Sequence, residues 1–376
     1  MLKNLKLKEI VITSLLAIAL LFFVVIGVFQ IYEEVSINGD DERIVLGVSN
    51  ATNSPFGSSL KGAPVAVGDY VAIVAGGNYT VVDHGANIIT EGNYMLSDPI
   101  MHAKGKYCVA GDFKGKVVRL YKEGEVVCEI DCDGRVISVV TNANGFFAVA
   151  TEETGYNAVI NVYNKSGEAI YRYRISKNTF IDMDISANNR KIIVIEANVD
   201  LATPGSNVVL ADFNRVDAQR EFFVESNLYV GVHFNKNGSF VCLGTQGADF
   251  YRSDCGKMGT VSFDGRSIHH ADISTDDAIC FAFDGAEGAP VGSSVLEIYD
   301  KNATLRGSVA FEDKIEHISV NGTHIGVAHG EVLDVVKPNG KIKKSFETQS
   351  PVKFAIPFKN GNSVLVFAGG NTTIMR

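Results

Sequence analysis

The triplet Ala148-Val149-Ala150 reads small, large apolar, small, and the chain repeats that pattern eight times. The other copies are Ala72-Ile73-Val74, Cys108-Val109-Ala110, Val194-Ile195-Glu196, Cys242-Leu243-Gly244, Cys280-Phe281-Ala282, Gly326-Val327-Ala328 and Val366-Phe367-Ala368. First members lie from 36 residues apart (Ala72 to Cys108) to 48 apart (Val194 to Cys242). A strand recurring at about 40–50 residues marks a β-propeller, one copy per blade. Side chains alternate between the two faces of a strand. In a propeller each sheet packs between two neighbours, so both faces are buried. The bulky member fills one face, and the small members let the other sheet approach.

Polar clusters such as Asn142-Ala143-Asn144-Gly145 and Asn235-Lys236-Asn237-Gly238 precede the triplet strands. They suit the left-handed backbone of tight hairpins, so each triplet strand (B) follows an antiparallel strand A. An apolar strand C comes next, as in Val159-Ile160-Asn161-Val162-Tyr163. A more polar strand D ends the unit, as in Ile342-Lys343-Lys344-Ser345-Phe346. Charge on an outer strand discourages edge pairing. The expected fold class is all-β: a β-propeller of eight blades with four antiparallel strands each, or seven if one unit is irregular. The last unit has no D strand. Residues 43–48 form an apolar, strand-like run outside any unit, and 49–62 read as loop. Pairing of 43–48 with the C-terminal blade is the expected closure.

Lys and Arg number 34 against 43 Asp and Glu, a net charge of −9. An acidic domain argues against nucleic acid or an anionic lipid surface as partner. Residues 10–31 are nearly unbroken apolar sequence, interrupted only by Thr13, Ser14, Gly27 and Gln30. About 20 such residues span a bilayer as a helix. A cleaved signal has a shorter apolar region of about 7–15 residues and a small-residue cleavage site; Gln30-Ile31-Tyr32-Glu33-Glu34 offers none. Lys3, Lys6 and Lys8 precede the run, and Glu33, Glu34, Asp40, Asp41 and Glu42 follow it. The positive-inside rule then sets the orientation. Residues 1–9 are expected in the cytoplasm, 10–32 as a single-pass transmembrane signal-anchor, 33–42 as a linker, and 43–376 as the propeller. The protein would sit in the cell membrane with its propeller extracytoplasmic.

Cys108, Cys242 and Cys280 occupy the first, small position of the triplet and read as packing residues. Cys128 and Cys132 are close enough in sequence to pair in an exported domain. No Cys-x-x-Cys is present, which argues against a zinc knuckle.

The Lys-flanked anchor and the turns Tyr163-Asn164-Lys165-Ser166-Gly167 and Tyr299-Asp300-Lys301 resemble an uncharacterised family of membrane-anchored propeller proteins of Gram-positive bacteria, a domain of unknown function. The resemblance implies a surface location and no known activity. More distantly, the blades are similar to quinoprotein-type propellers, which carry a tryptophan docking motif. This chain has no Trp, a departure that argues against a quinone cofactor and against a WD-repeat assignment.

No Gly-x-Ser-x-Gly elbow, Walker loop or His-Glu-x-x-His is present. Two places depart from the repeat. Glu196 stands where other units have Ala, Gly or Val, and an unpaired buried carboxylate is costly. Three B-to-C connections look long, at 151–157, 197–207 and 284–293, and carry Glu152, Glu153, Asp200, Asp284 and Glu287. In a propeller these loops share a face with the D-to-A connections. A third pattern lies on the A strands, which line the axis. Aligned on Ile185, Phe234, Ile273 and Val320, they place Asp184 and Asp182, His233 and Gly231, Asp272 and His270, and Ser319 and His317 one and three positions earlier. The preceding unit gives Val139 and Ile137. His and Asp are ordinary ligands of divalent metals, so His233, His270, His317 and Asp272 form a candidate cation or ligand site. Hydrogen bonding to neighbouring blades is the structural alternative.

The expected function is non-enzymatic: a membrane-anchored binding or scaffolding module without a cofactor, its protein or envelope partner on the loop face. The rival reading is a metal-dependent hydrolase or lyase using the central channel with a divalent cation.

Overall fold

The computed structural model describes residues 51–53, 60–92, 94–198, 204–225, 227–275, 278–285 and 290–376. Among them, thirty-two strands form eight four-stranded antiparallel sheets. Blades one to seven are runs of four consecutive strands. They are β2 (Leu60–Val67) to β5 (Ile88–Glu91), β6 (Pro99–Lys104) to β9 (Glu125–Asp131), and β10 (Arg135–Thr141) to β13 (Ala169–Ile175). Next come β14 (Thr179–Ile185) to β17 (Arg215–Glu225), and β18 (Tyr229–Phe234) to β21 (Lys257–Ser262). The last two are β22 (Ile268–Asp272) to β25 (Leu305–Phe311), and β26 (Ile315–Asn321) to β29 (Ile342–Glu347). Blade eight combines β30 (Val352–Pro357), β31 (Val364–Ala368) and β32 (Asn371–Met375) with β1 (Ala51–Asn53) on its outside.

Ala51 stands opposite Met375 and Asn53 opposite Thr373. A strand from ahead of blade one therefore completes the last blade. That strand is 51–53; residues 43–48, expected in this role, lie outside the described residues. The stretch 49–62 is not all loop, since it also contributes the start of β2. The proposed anchor at 10–32 lies outside the described residues too. Among those described, no helix is long and apolar enough to cross a membrane.

All eight triplets fall on the second strand of their blade. Their members are buried, except that Leu243 is half-buried. Apolar side chains gather into eight clusters, one for each contact between successive blades. One of them joins Val71 and Ile73 of blade one to Phe354 and Phe367 of blade eight, so the ring is closed. The bulky triplet members do not all face the same way round. Val149 packs with Val109 of the preceding blade, whereas Ile195 packs with Tyr229 and Phe234 of the following one. The cause is a one-residue offset: Met183 opposes the first triplet member Val194, while Ala271 opposes the middle member Phe281. One residue of shift turns a side chain to the other face.

The A-to-B hairpins use the expected left-handed glycines, with Gly145 at φ 83 and Gly238 at φ 84. All six cysteines are free, and Cys108, Cys242 and Cys280 are fully buried. Burial pushes the Cys108 thiol up to about 12. Cys128 lies inside β9 and Cys132 just past its end. At about 3.3 Å per residue, an extended chain separates them by roughly 13 Å. A disulfide tolerates about 7 Å between Cα atoms, so the pair is not bonded.

Candidate functional site

Each innermost strand is the edge of its sheet and is paired on one side only. Its outward N–H groups need acceptors from elsewhere. Polar side chains of the preceding blade supply them. The N–H of Phe234 donates to Asp184 (2.7 Å) and that of Val232 to Asp182 (2.8 Å). The N–H of Val320 donates to Asp272 (2.7 Å), and that of Thr141 to Nδ1 of His102 (3.1 Å). Four of the polar residues around the axis are thus staples between blades. Ser206 and Ser294 do the same nearer the other end, accepting from the N–H of Tyr229 and of Ile315.

The inner strands of blades three to eight share a one-residue bulge, at Ile137, Ile181, Val230, His269, Glu316 and Lys353. A bulge re-aims the side chains that follow it. It also corrects the alignment of blade three: the residue just after the bulge is Ser138, matching Asp182, Gly231, His270 and His317. Val140, rather than Val139, matches Asp184.

At one end of the axis Lys104, from blade two, reaches blades four and five. Its Nζ lies 3.4 Å from Asp184, 3.4 Å from Nδ1 of His233 and 3.2 Å from the carbonyl of Phe234. Asp184 is buried, with its side chain 3% exposed. Burial alone would raise its carboxyl, but the Lys104 ammonium above all holds it below the usual range. Asp182, two residues away, has no such cation; burial pushes it up to about 7 against the pull of its backbone N–H bonds. Burial also drives His102 down to about 4, so it is neutral and free to accept from Thr141.

The candidate set therefore divides. His233 joins Asp184 and Lys104, at 3.4 Å from the carboxylate. His270 and His317 meet edge to face on adjacent inner strands, ring centres 5.0 Å and planes 61° apart. Asp272 is engaged by the N–H of Val320, and by the N–H and hydroxyl of Ser274. Among the described residues, no three His, Cys, Asp or Glu side chains come close enough to hold a metal ion together.

Glu196 is 3% exposed and accepts from the Tyr173 hydroxyl (2.7 Å), the Asn178 amide (2.7 Å) and the Asn207 amide (3.2 Å). It is a satisfied carboxylate between blades three and four. The connection at 151–157, expected to be long, is a tight hairpin. β11 (Phe147–Glu153) and β12 (Tyr156–Tyr163) leave two residues between them, with Gly155 at φ 88. Of the acidic residues on these loops, Glu153 pairs with Arg172 and Asp284 with His269, while Glu152 is exposed. Asp200 and Glu287 lie outside the described residues.

Sequence reasoning missed His102 and Lys104. The signal was present in Met101-His102-Ala103-Lys104, two polar residues spaced by two on an inner strand. It is hard to see because this strand lacks the bulge of the others.

The family model called family of unknown function (DUF5711) matches residues 56–376. The chain belongs to that family. No curated protein matches it in sequence. Among solved structures, the C-terminal WD40 domain of Sif2 is similar at 13% identity and TM-score 0.58, covering 89% of this chain and 98% of that one. The Dos1 propeller is similar at 13% identity and TM-score 0.56, covering 88% and 94%. BamB from Moraxella catarrhalis aligns at 12% identity and TM-score 0.49, over 89% and 98%. At such identities the first two likenesses concern the fold alone. A member of DUF5711 without a single Trp thus shares a propeller architecture with a WD40 domain.

Proposed function

We propose that this chain is a membrane-anchored, extracytoplasmic propeller that acts as a binding or scaffolding module. One observation carries the reading: most of the polar side chains that would make a catalytic set around the axis hold the blades together. Asp182, Asp184 and Asp272 each use a carboxylate oxygen on the next blade's backbone. Lys104 occupies one end of the axis. The residues left for a partner are those of the rim and the loop face formed by B-to-C and D-to-A connections, a rigid platform of the kind loops offer on a fixed scaffold. The apolar run at 10–32 and its flanking charges support anchoring with the propeller outside. The acidic surface favours a partner with basic groups.

Chemical crosslinking on intact membranes, followed by detergent extraction and purification, tests the module. The expected result is a defined adduct whose yield falls as salt rises. Purified protein that turns over a substrate at the channel, with no adduct, would overturn it.

A further inference from the structure

We infer that His270 and His317 form a two-imidazole site for a divalent transition-metal ion on the channel wall. The two residues occupy the same position on neighbouring inner strands, each directly after a bulge. Their role differs from that of their counterparts. Asp182, at the same position in blade four, accepts a backbone N–H from the next blade. His270 and His317 instead each keep a buried Nδ1 with no hydrogen-bond partner. His317 is only 9% exposed. Buried polar groups are nearly always paired, and an unpaired one costs about 1–3 kcal/mol. Two such atoms on neighbouring rings are a pair that one shared ligand would satisfy.

The spacing fits one ion. With metal–nitrogen bonds of about 2.1 Å and about 1.1 Å from ring centre to nitrogen, two imidazoles on a tetrahedral ion stand about 5.2 Å apart, centre to centre. The observed separation is 5.0 Å. Burial lowers both imidazoles, against the pull of Asp272 on His270 and with the help of His270 on His317. Asp272, on the strand of His270, adds a negative charge nearby and favours a cation. Imidazole suits zinc, copper and nickel rather than calcium or magnesium. Two protein ligands leave the remaining positions to water or to a small donor in the channel, one protein ligand fewer than an ordinary open zinc site.

The test uses the full chain in detergent, freed of metal with chelator, with Zn2+ and Cu2+ as probes. Titration calorimetry should give one Zn2+ per chain, and the paramagnetic resonance spectrum of the Cu2+ form should show coupling to two nitrogens. H270N, at the half-buried position, and H270N/H317N should each weaken Zn2+ at least tenfold. H324N, at a histidine outside the pair, should leave the isotherm unchanged. The spectrum of the unaltered protein keeps the test decisive should a variant fail to fold. Absence of one-to-one binding, a copper spectrum without two-nitrogen coupling, or equal Zn2+ affinity in H270N would overturn the inference.

Discussion

Replacing Lys104 with Met removes the cation that crosses the channel while keeping most of the side chain's bulk. In the native protein Nζ is shared by Asp184, His233 and the carbonyl of Phe234, at 3.2–3.4 Å. Breaking a buried ion pair by deleting one partner costs about 3–5 kcal/mol. Two features reduce that here. The Lys104 side chain is 18% exposed, and Asp184 keeps the N–H groups of Phe234 and Ile185, both at 2.7 Å. The loss should then be about 2–3 kcal/mol, or a fall in Tm of roughly 3–5 °C for a domain of this size.

The pH dependence separates an electrostatic cause from a packing one. Asp184 has a folded pKa held below its ordinary value. Its contribution is present above the unfolded pKa and is lost as pH falls through the folded one. The gap between K104M and the parent should be widest near neutral pH and close on acidification. Adding D184N should recover part of the loss, because removing both partners costs less than removing one. Thermal scans from pH 7 down to about pH 3 measure all three proteins. A K104M protein within 1 °C of the parent at pH 7, or a gap that persists in acid, would refute the reasoning.

Deleting residues 51–53 should strip blade eight of its outer strand and lower Tm by several degrees or promote self-association through the bared edge of β32; a scan and sedimentation check it, and an unchanged Tm and monomer would count against this closure. E196A should cost about 2–4 kcal/mol in urea unfolding, because it strands Tyr173 and Asn178 and leaves Asn207 only Glu221, and E196Q should cost less. His102 falls from 6.5 to about 4 on folding, so its share of stability is complete above 6.5 and is lost as pH drops through 4, about 3 kcal/mol in all. H102Q should flatten that stretch of the pH profile. Asp182 works in the opposite sense: with a folded value about 7, its contribution is present below the unfolded value near 3.9 and is lost as pH rises through 7, so D182N should gain most at alkaline pH.

Much of the fold was legible because a buried strand with two packed faces leaves a compositional mark. The eight triplets, their hairpin glycines and the missing outer strand after β32 all translate directly into blades. The closing strand was not legible. Ala51-Thr52-Asn53 is short and polar, and the more apolar 43–48 looked like the better strand. For the site, spacing by two correctly brought Asp and His to the inner strands, but not what they do there. Asp184 and Asp272 meet backbone N–H groups of the next blade, and a backbone leaves no trace in the sequence of its partner. The bulges hid the true alignment of Ser138 and Val140, since an extra residue changes which face follows it. The partners of Lys104 were out of reach for a different reason: a contact from blade two to blade five depends on the curvature of the whole ring.

Face-resolved photo-crosslinking in the native membrane tests the central claim most directly. Photoreactive side chains at Glu152 and Lys177, exposed on the face of B-to-C and D-to-A connections, are compared with ones at Ala143 and Asn237, exposed on the A-to-B hairpins of the opposite face. A binding module that works through its loop face predicts a discrete protein adduct from the first pair and none from the second. Equal labelling from both faces, or no adduct from either, would contradict the account.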